Sequence, residues 1–287
     1  MTERLTLRLP HVRLEALAWG PAEGRLVVAL HGFPDTAHTW RHLGPFLAAR
    51  GCRVVAPHTR GYAPSEVPAD RCFHVAALMA DAAAIPAALG RDDAVLVGHD
   101  WGAITANALG AHPASPYERV VALAVPPFRA VGIPGPRLLA RQLRHSWYVG
   151  WHQLPVLPER FLDREVRRLW RDWSPGYAAD ADLPSVLAAL ERPANRAAAI
   201  GYYRALRAPW RVPPAYAEWQ RTWDGIPVVP TLSLHGADDG CLEPALAGGL
   251  AARLPAGSRV EVVADAGHFL QLERPELVNG LVAEFLA

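Results

Sequence analysis

The sequence contains no lysine, so all 29 of its basic residues are arginine. This absence excludes the P-loop lysine of nucleotide-binding proteins and every mechanism that depends on a Schiff-base or pyridoxal-phosphate lysine. Charge is also scarce, since 20% of the residues are charged and 28 acidic residues nearly cancel the basic ones. We therefore expect no nucleic acid partner, because binding to nucleic acid requires a basic patch.

Cysteines and long apolar runs are scarce as well. The three cysteines, Cys52, Cys72 and Cys241, show no CxxC spacing, which argues against a disulfide framework or a zinc knuckle. No apolar stretch approaches the roughly 18 to 20 residues that span a bilayer, and the N-terminus lacks an apolar signal segment. These absences predict a cytoplasmic location without a membrane span. They leave the oligomeric state open, with a homodimer as one alternative.

Hydrophobic residues make up 51% of the chain, and their pattern indicates one large α/β core. Short runs rich in leucine and β-branched residues alternate with alanine- and leucine-rich segments of helical period. This alternation predicts a mostly parallel sheet of about eight strands flanked by helices. The predicted strands are 25–30, 52–56, 94–97, 120–125, 228–234 and 259–263, preceded by an antiparallel hairpin of 5–9 and 12–18. Predicted helices include 75–89, 101–111 and 244–254.

The alternation stops after Pro126-Pro127 and resumes at Pro227-Val228. The intervening segment holds seven of the ten tryptophans and five of the seven tyrosines. We therefore predict that residues 128–224 form a helical cap, inserted into a core of residues 1–127 and 225–287. Most of these aromatic side chains must simply pack the cap against the core, because they bury large areas wherever they sit.

The strongest local signal is the sequence Gly98-His99-Asp100-Trp101-Gly102, which follows an apolar run and precedes a helical segment. It has the pattern of a nucleophile elbow, with aspartate where serine often stands. The two glycines permit a tight turn that presents residue 100 at the carboxyl end of the sheet. In the alternative interpretation, Asp100 only caps the following helix.

Three other predicted strands end in residues that complete such a site. The sequence His-Gly-Phe-Pro at 31–34 follows the first parallel strand, and the amides of Phe33 and Trp101 are candidates for an oxyanion hole. Asp239 and His268 follow two later strands in succession. The order nucleophile, acid, histidine is that of the α/β-hydrolase arrangement, in which the acid orients the histidine base. Asp238 is the competing candidate for the acid.

These motifs together resemble the epoxide hydrolase family of α/β-hydrolases, over essentially the whole chain. The matching segments are HGFP at 31–34, GHDWG at 98–102, the acid turn at 236–244 and GHF at 267–269. The resemblance implies an ester intermediate on Asp100, hydrolysed by water that His268 activates, with no metal and no organic cofactor. His38 and His42 have helical spacing, but no third metal ligand accompanies them, so we expect them on the surface.

Epoxide hydrolases of this family carry two cap tyrosines that hydrogen-bond the epoxide oxygen. The resemblance assigns the first to Tyr148 and the second to Tyr203, with Tyr202 as the alternative. The sequence departs from the family pattern at His152, where an aromatic residue is usual, and at Gly201, where asparagine is common. The side chains expected to line the substrate site are Phe33, Trp101, Trp147, Trp151, Tyr202 and Phe269.

The resemblance implies conversion of a hydrophobic epoxide to a vicinal diol, with the epoxide and water as partners. Most of the motifs are shared with haloalkane dehalogenases, so a haloalkane or haloacid dehalogenase with the same triad is the alternative enzyme. In that reading, Trp101 and a cap tryptophan would bind the departing halide. The non-enzymatic alternative is a small-molecule binding protein with the same lidded fold.

Overall fold

The computed structural model describes residues 2–132 and 134–287, and one eight-stranded sheet forms its centre. The strands are β1 (Glu3–Arg8), β2 (Arg13–Trp19), β3 (Arg25–Leu30), β4 (Cys52–Pro57), β5 (Ala94–His99), β6 (Tyr117–Leu123), β7 (Thr231–Gly236) and β8 (Arg259–Val263). Their order in the sheet is β1-β2-β4-β3-β5-β6-β7-β8. Strand β2 is antiparallel to both of its neighbours, and all other pairs are parallel. The predicted α/β fold with about eight strands is confirmed.

Ten α-helices flank or cover this sheet in the part of the chain that the structure describes. They are α1 (Leu43–Ala48), α2 (Val75–Ala88), α3 (Trp101–Gly110), α4 (Pro136–His145), α5 (Trp147–Trp151), α6 (Leu157–Trp173), α7 (Leu183–Ala189), α8 (Pro193–Leu206), α9 (Leu270–Glu273) and α10 (Pro275–Leu286). Helices α4, α6, α7 and α8 each have proline in the first two positions, where its missing N–H costs no hydrogen bond. None of these helices is long and apolar enough to cross a membrane.

The prediction of one helix over 244–254 is wrong. The segment forms two short 3-10 helices, Pro244–Ala247 and Leu250–Arg253. They are separated by Gly248 and Gly249, and Gly249 has a φ of +78°, which no α-helix accommodates. The alanine and leucine content predicted a helix, and the glycine pair interrupts it.

The central parallel strands β3, β5 and β7 are buried on both faces, which explains their continuous apolar runs. In β3, Leu26 and Val28 face a core that includes Met79 of α2. The intervening Val27 faces a second core on the other side of the sheet, which includes Val282 of α10. The carboxyl ends of the strands therefore emerge between two layers of helices, at the edge where the candidate catalytic residues lie.

Helices α4 to α8 all lie between β6 and β7 in the chain, and side chains from this segment are hydrogen-bonded to loops at the strand ends. The indole of Trp170 donates to the carbonyl oxygen of Pro34, with 2.7 Å between nitrogen and oxygen. The hydroxyl of Tyr202 donates to the carbonyl oxygen of Arg60, also at 2.7 Å. These contacts hold the helical segment over the same edge of the sheet as Asp100.

Three buried histidines make the stability of this fold sensitive to acid. Burial lowers the pKa of His31 to about 4, and the pKa values of His58 and His99 to about 3. Each imidazole is therefore neutral in the folded protein but takes up a proton on unfolding below about pH 6.5. Burial also raises the pKa of Asp35 to about 8. Above its ordinary pKa this carboxyl loses a proton on unfolding, so its effect on the pH dependence of stability is opposite to that of the histidines.

We expect the free energy of unfolding to fall by about 1–3 kcal/mol between pH 6.5 and pH 5, since each uncompensated histidine contributes at most about 1.4 kcal/mol per pH unit. Urea unfolding at several pH values measures this change. The substitution His58→Gln removes one of the titrating groups, so the pH dependence should become shallower by up to one proton. An unchanged slope in that variant would contradict the assignment.

Candidate active site

Asp100 lies in the turn between β5 and α3, and its backbone has φ +53° and ψ −116°. This conformation is uncommon for a residue with a side chain and is maintained by the surrounding structure. A Cβ atom on Gly102 would lie 2.1 Å from the carbonyl oxygen of Leu30, so only glycine permits α3 to start this close to β3. The sharp turn presents the Asp100 carboxylate at the carboxyl end of the sheet, where it is buried.

The loop after β3 approaches the Asp100 carboxylate directly. A Cβ atom on Gly32 would lie 2.2 Å from Asp100 Oδ1 and 2.6 Å from the backbone nitrogen of Trp101. The next amide, that of Phe33, donates a hydrogen bond to Asp100 Oδ1 at 2.7 Å. No hydrogen bond joins the Trp101 amide to Asp100 within residues 2–132 and 134–287. Of the two predicted oxyanion donors, the Phe33 amide is thus hydrogen-bonded to Asp100, and the Trp101 amide lies beside the same carboxylate.

His268 lies between two carboxylates. Its Nδ1 donates to Asp239 Oδ2 at 3.0 Å, and its Nε2 lies 3.6 Å from Asp100 Oδ2. The other oxygen of Asp239 accepts hydrogen bonds from the amides of Cys241 at 2.7 Å and Leu242 at 3.0 Å. Asp238 is exposed. The structure therefore brings Asp239, and not Asp238, to the histidine.

Asp100, Asp239 and His268 form a charged triad, in which both carboxylates act on the pKa of His268. Burial alone would lower the pKa of His268, but the carboxylates of Asp239 and Asp100 outweigh it and raise that pKa to about 10. Burial alone would raise the pKa of Asp239, but the neighbouring imidazoles of His268 and His235 hold it below its ordinary value. In this arrangement His268 carries a proton between two negative charges, and loss of either charge would make that proton easier to release.

Two tyrosines from the helical segment lie near Asp100. The rings of Tyr148, on α5, and Tyr203, on α8, are perpendicular, with their centroids 5.4 Å apart. Burial, with the charge of Asp100 among the further causes, raises the pKa of both hydroxyls well above the ordinary value. Both phenols are therefore protonated at neutral pH, as a proton donor must be.

The hydrogen bonds distinguish Tyr203 from Tyr202. The Tyr203 hydroxyl is buried and makes no hydrogen bond with the described residues. The Tyr202 hydroxyl is already engaged by the carbonyl oxygen of Arg60. The Tyr148 hydroxyl lies 3.4 Å from the sulfur of Cys241. Tyr148 and Tyr203 therefore have the hydroxyls that a ligand could most readily reach.

Four of the six residues predicted to line the substrate site lie around Tyr203 and His268. The rings of Phe33 and Trp101 contact the Tyr203 ring, at centroid distances of 5.1 and 5.2 Å, and Tyr202 packs edge-on against Trp101 at 5.3 Å. Phe269 packs against the His268 ring at 5.3 Å and stacks on Trp170 at 3.8 Å. It thus helps to hold the histidine in place.

Trp147 and Trp151 are engaged within the helical segment instead. The guanidinium of Arg168 lies 4.4 Å from the centre of the Trp147 ring. The indole of Trp151 donates to Glu165 at 2.9 Å. The structure does not bring these two rings to Asp100, although both were expected to line the substrate site.

Sequence reasoning missed residues that support the triad. Trp173 packs against the rings of His268 at 4.9 Å and Tyr148 at 5.1 Å, and its carbonyl oxygen accepts from the His268 amide at 3.0 Å. His235 Nε2 lies 3.2 Å from Asp239 Oδ2. Trp173 is one of many tryptophans in its segment, so no sequence signal distinguishes it. His235 lies near the end of β7, four residues before Asp239, and this closeness in the chain was a signal that could have been used.

One group of side chains could in principle ligate a metal among residues 2–132 and 134–287. The ligand atoms of Asp100, Cys241 and His268 all lie within 4.8 Å of one another. Two members of this group, Asp100 and His268, are already hydrogen-bonded within the site, to the Phe33 amide and to Asp239 respectively. His38 and His42 are both exposed.

Comparison with known proteins places this arrangement in a family. Residues 25–275 match the α/β-hydrolase fold family. The chain is 29% identical to epoxide hydrolase A of Mycobacterium tuberculosis, covering 99% of this chain and 97% of that protein. It is 28% identical to the AB hydrolase superfamily protein YfhM of Bacillus subtilis, covering 96% and 94%. The crystal structure of Bacillus megaterium epoxide hydrolase with an inhibitor superposes with a TM-score of 0.79 at 26% identity, covering 98% and 99%.

These relatives confirm the resemblance that the motifs predicted. The family match extends over the elbow, the acid turn and the histidine, and the sheet order is the one that places those three residues at a single edge. The chain is therefore a member of the α/β-hydrolase fold family.

Proposed function

We propose that the protein hydrolyses hydrophobic epoxides to vicinal diols through an ester on Asp100. The observation that carries this proposal is the pair of buried, protonated phenols, Tyr148 and Tyr203, beside a carboxylate nucleophile that His268 faces at 3.6 Å. Opening an epoxide releases an alkoxide, which requires a proton donor already in place. Relatives that are named epoxide hydrolases match this chain over nearly its full length, which supports the same reaction.

We also propose the domain division that this function requires. Residues 1–127 and 225–287 form the core, which supplies Asp100, Asp239 and His268 from the strand ends. Residues 128–224 form the cap, which supplies Tyr148 and Tyr203. In support, helices α4 to α8 all belong to the cap segment, and the eight strands all belong to the core.

In the first step, Asp100 attacks a ring carbon of the epoxide. The Phe33 amide holds Oδ1, so Oδ2 is the attacking oxygen. The new bond joins Oδ2 to carbon while the carbon–oxygen bond of the ring breaks, and the electron pair remains on the epoxide oxygen. One of the two tyrosines gives its proton to that oxygen and becomes a phenolate. The products are a hydroxyl group and an alkyl ester of Asp100.

Formation of the ester prepares His268 for the second step. The Asp100 charge is one of the two that hold the proton on His268, and the ester no longer carries it. His268 therefore releases its proton, which restores the tyrosine. The neutral imidazole can then act as a general base toward water.

In the second step, His268 takes a proton from water, and the resulting hydroxide attacks the carbonyl carbon of Asp100. Negative charge develops on Oδ1, where the Phe33 amide already donates and the Trp101 amide lies close. The ester carbon–oxygen bond then breaks, and the leaving oxygen takes the proton from His268 to complete the diol. Asp100 returns its proton to the imidazole, and the starting state is restored.

The dehalogenase alternative requires indole N–H groups that are free to bind halide. Two cap indoles are already engaged: Trp151 donates to Glu165, and Trp170 donates to the carbonyl oxygen of Pro34. A departing halide also needs no proton, which would leave the phenol pair without a role. The phenol pair is therefore the feature that favours the epoxide.

The test measures diol release from aromatic and aliphatic epoxides, together with halide release from matched haloalkanes. We expect diol and no halide. A single turnover in ¹⁸O-labelled water should give an unlabelled diol and place the label in the Asp100 carboxylate, because water attacks the ester and not the epoxide. Halide without diol, or label in the first diol released, would contradict the proposal.

The phenol pair can be tested by the double substitution Tyr148→Phe and Tyr203→Phe. We expect formation of the Asp100 ester to slow by about 10²- to 10⁴-fold, the usual contribution of a general acid. Stability should change little, because the Tyr203 hydroxyl has no hydrogen-bond partner within the described chain and the Tyr148 hydroxyl has only a long contact with the Cys241 sulfur, at 3.4 Å. Rapid-quench kinetics in a single turnover measure the first quantity, and urea unfolding measures the second.

The matched control is Tyr202→Phe, which removes a neighbouring hydroxyl that donates to Arg60. It should lower the free energy of unfolding by about 1 kcal/mol and leave the rate of ester formation within a few fold of wild type. Ester formation at the wild-type rate in the double variant would remove the two tyrosines from the mechanism.

A further inference from the structure

An exposed apolar turn joins α5 to α6. Its residues include Leu154, Val156 and Leu157, the last at the start of α6, and Phe161 follows one helical turn later. All four side chains are exposed, and Val156 retains 70% of its accessible area. Single exposed apolar side chains are ordinary, whereas a group of neighbouring ones marks a surface that meets a partner or a membrane. We call these four residues the apolar tip.

The backbone of this turn is strained. Val156 has φ +66° and ψ −43°, and the amide of Leu157 donates to the carbonyl oxygen of Pro155 at 2.7 Å. A three-residue turn of this kind is rare, and a β-branched residue fits it worst. Arg204 fixes the start of the turn by donating to the carbonyl oxygen of Leu154 at 2.6 Å. The fold thus maintains an exposed valine in a conformation that valine disfavours, as is common where function requires the local geometry.

The charges that remain free beside the apolar tip are positive. The guanidinium groups of Arg160 and Arg164 lie 5.9 and 6.0 Å from the centre of the Phe161 ring, and both arginines are exposed. The acidic residues of the same part of α6, Glu159 and Asp163, each form a salt bridge with an arginine of α8. Arg160 and Arg164 have no salt-bridge partner among the described residues, so their charges are available to a partner.

The surface of an anionic bilayer matches both features. Apolar side chains enter the boundary between lipid headgroups and acyl chains, while guanidinium groups stay with the phosphates. A second copy matches less well, because a symmetric dimer through this surface would bring Arg160 and Arg164 toward the same arginines of the partner. Nucleic acid would attract the arginines but offers no apolar layer for Val156 and Leu157.

We propose that the apolar tip, together with Arg160 and Arg164, docks the protein on the surface of an anionic lipid bilayer. The inference goes beyond the proposed reaction and does not depend on it. Hydrophobic compounds partition from water into lipid. The tip directly follows α5, which carries Tyr148, so docking would place the helical segment beside lipid that dissolves such compounds.

The test measures sedimentation of the full chain with vesicles of two compositions. One is an equimolar mixture of phosphatidylglycerol and phosphatidylcholine, and the other is phosphatidylcholine alone. We expect the protein to sediment mainly with the anionic vesicles. Binding should weaken as sodium chloride is added, because salt screens the attraction between the arginines and the lipid phosphates.

Two variants test the two parts of the surface. Val156→Asn removes the apolar side chain at the tip, and asparagine tolerates a positive φ better than valine does. We expect its partition into anionic vesicles to fall by about fivefold or more. The double variant Arg160→Gln with Arg164→Gln should partition about 10- to 30-fold less, since each arginine near an anionic surface contributes about fivefold.

Matched controls make the same changes elsewhere. Val228→Asn removes a valine that is 69% exposed in the C-terminal part of the core. The double variant Arg8→Gln with Arg71→Gln removes the same amount of charge from two exposed arginines of the core. Both controls should bind vesicles as the wild-type protein does. Urea unfolding checks that all four variants are folded.

Equal binding of the wild-type protein to both kinds of vesicle, or to neither, would overturn the inference. Wild-type binding by Val156→Asn, or by the variant that lacks Arg160 and Arg164, would overturn it too. A dimer in analytical ultracentrifugation that Val156→Asn dissociates, without binding to vesicles, would assign the apolar tip to a second copy instead. Failure of the proposed function is a separate result, since diol release is measured without vesicles.

Discussion

Diol formation should fall by on the order of 10⁴-fold or more when Asp100 is replaced by asparagine, because the nucleophile of the first half-reaction is lost, and with it the ester that the second half-reaction hydrolyses. Asparagine is the best replacement for structural reasons. Its amide oxygen can still accept the hydrogen bond that the Phe33 amide donates to Oδ1. It also tolerates the positive φ of +53° at this position better than alanine does.

The measurement is steady-state diol release, with mass spectrometry of the protein after mixing with excess epoxide. The variant should show no increase in mass, whereas the wild-type protein should carry a transient adduct. Asp238→Asn is the matched control, since Asp238 is an exposed carboxylate next to the buried acid, and it should retain wild-type turnover. Diol formation by Asp100→Asn at more than a few per cent of the wild-type rate would rule out Asp100 as the nucleophile.

Replacing His268 by glutamine should separate the two half-reactions. The ester should still form, because Asp100 is present and the phenols supply the proton, but its hydrolysis should slow by about 10²- to 10⁴-fold for loss of the general base. Steady-state turnover would then fall by a similar factor after an initial burst. The variant removes the cation beside Asp100, so ester formation should change as well, but by much less than hydrolysis.

The amplitude of the burst, which measures how much ester accumulates, tests this prediction. We expect close to one equivalent of ester per active site, visible as a stable mass increase on a peptide that contains Asp100. Asp239→Asn should give the same pattern more weakly, because it misorients the imidazole without removing it. Equal loss of both half-reactions in His268→Gln would instead indicate that the histidine holds the site together.

Patterns within short stretches of sequence were sufficient to predict which residues meet in the candidate site. The run before Gly98 could be predicted as a buried strand, and the glycines around Asp100 are required by the close approach to Leu30. Both are local properties, set by side-chain size and backbone freedom over fewer than ten residues. The strand ends that carry Phe33, Asp239 and His268 were predictable for the same reason, because parallel strands bring their carboxyl ends to one edge.

Local patterns failed where a choice depended on burial. Asp238 and Asp239 are neighbours of the same residue type, and so are Tyr202 and Tyr203. The sequence therefore does not show which member of each pair belongs to the site. In each pair, the partners come from elsewhere in the chain: His268 for Asp239, and the Arg60 carbonyl oxygen for Tyr202. The composition of residues 244–254 also predicted a helix that the glycine pair prevents.

The fold class and the tight turn at Asp100 could be predicted from the residues alone, because they follow from hydrophobic period, glycine placement and chain order. Which tyrosine hydroxyl makes no hydrogen bond, and which acid faces the histidine, became clear from the folded arrangement. The physical reason is that the free energy of a polar or charged side chain depends on its burial and its partners. Those partners lie far away in the chain and become neighbours only when the helices between β6 and β7 pack over the sheet.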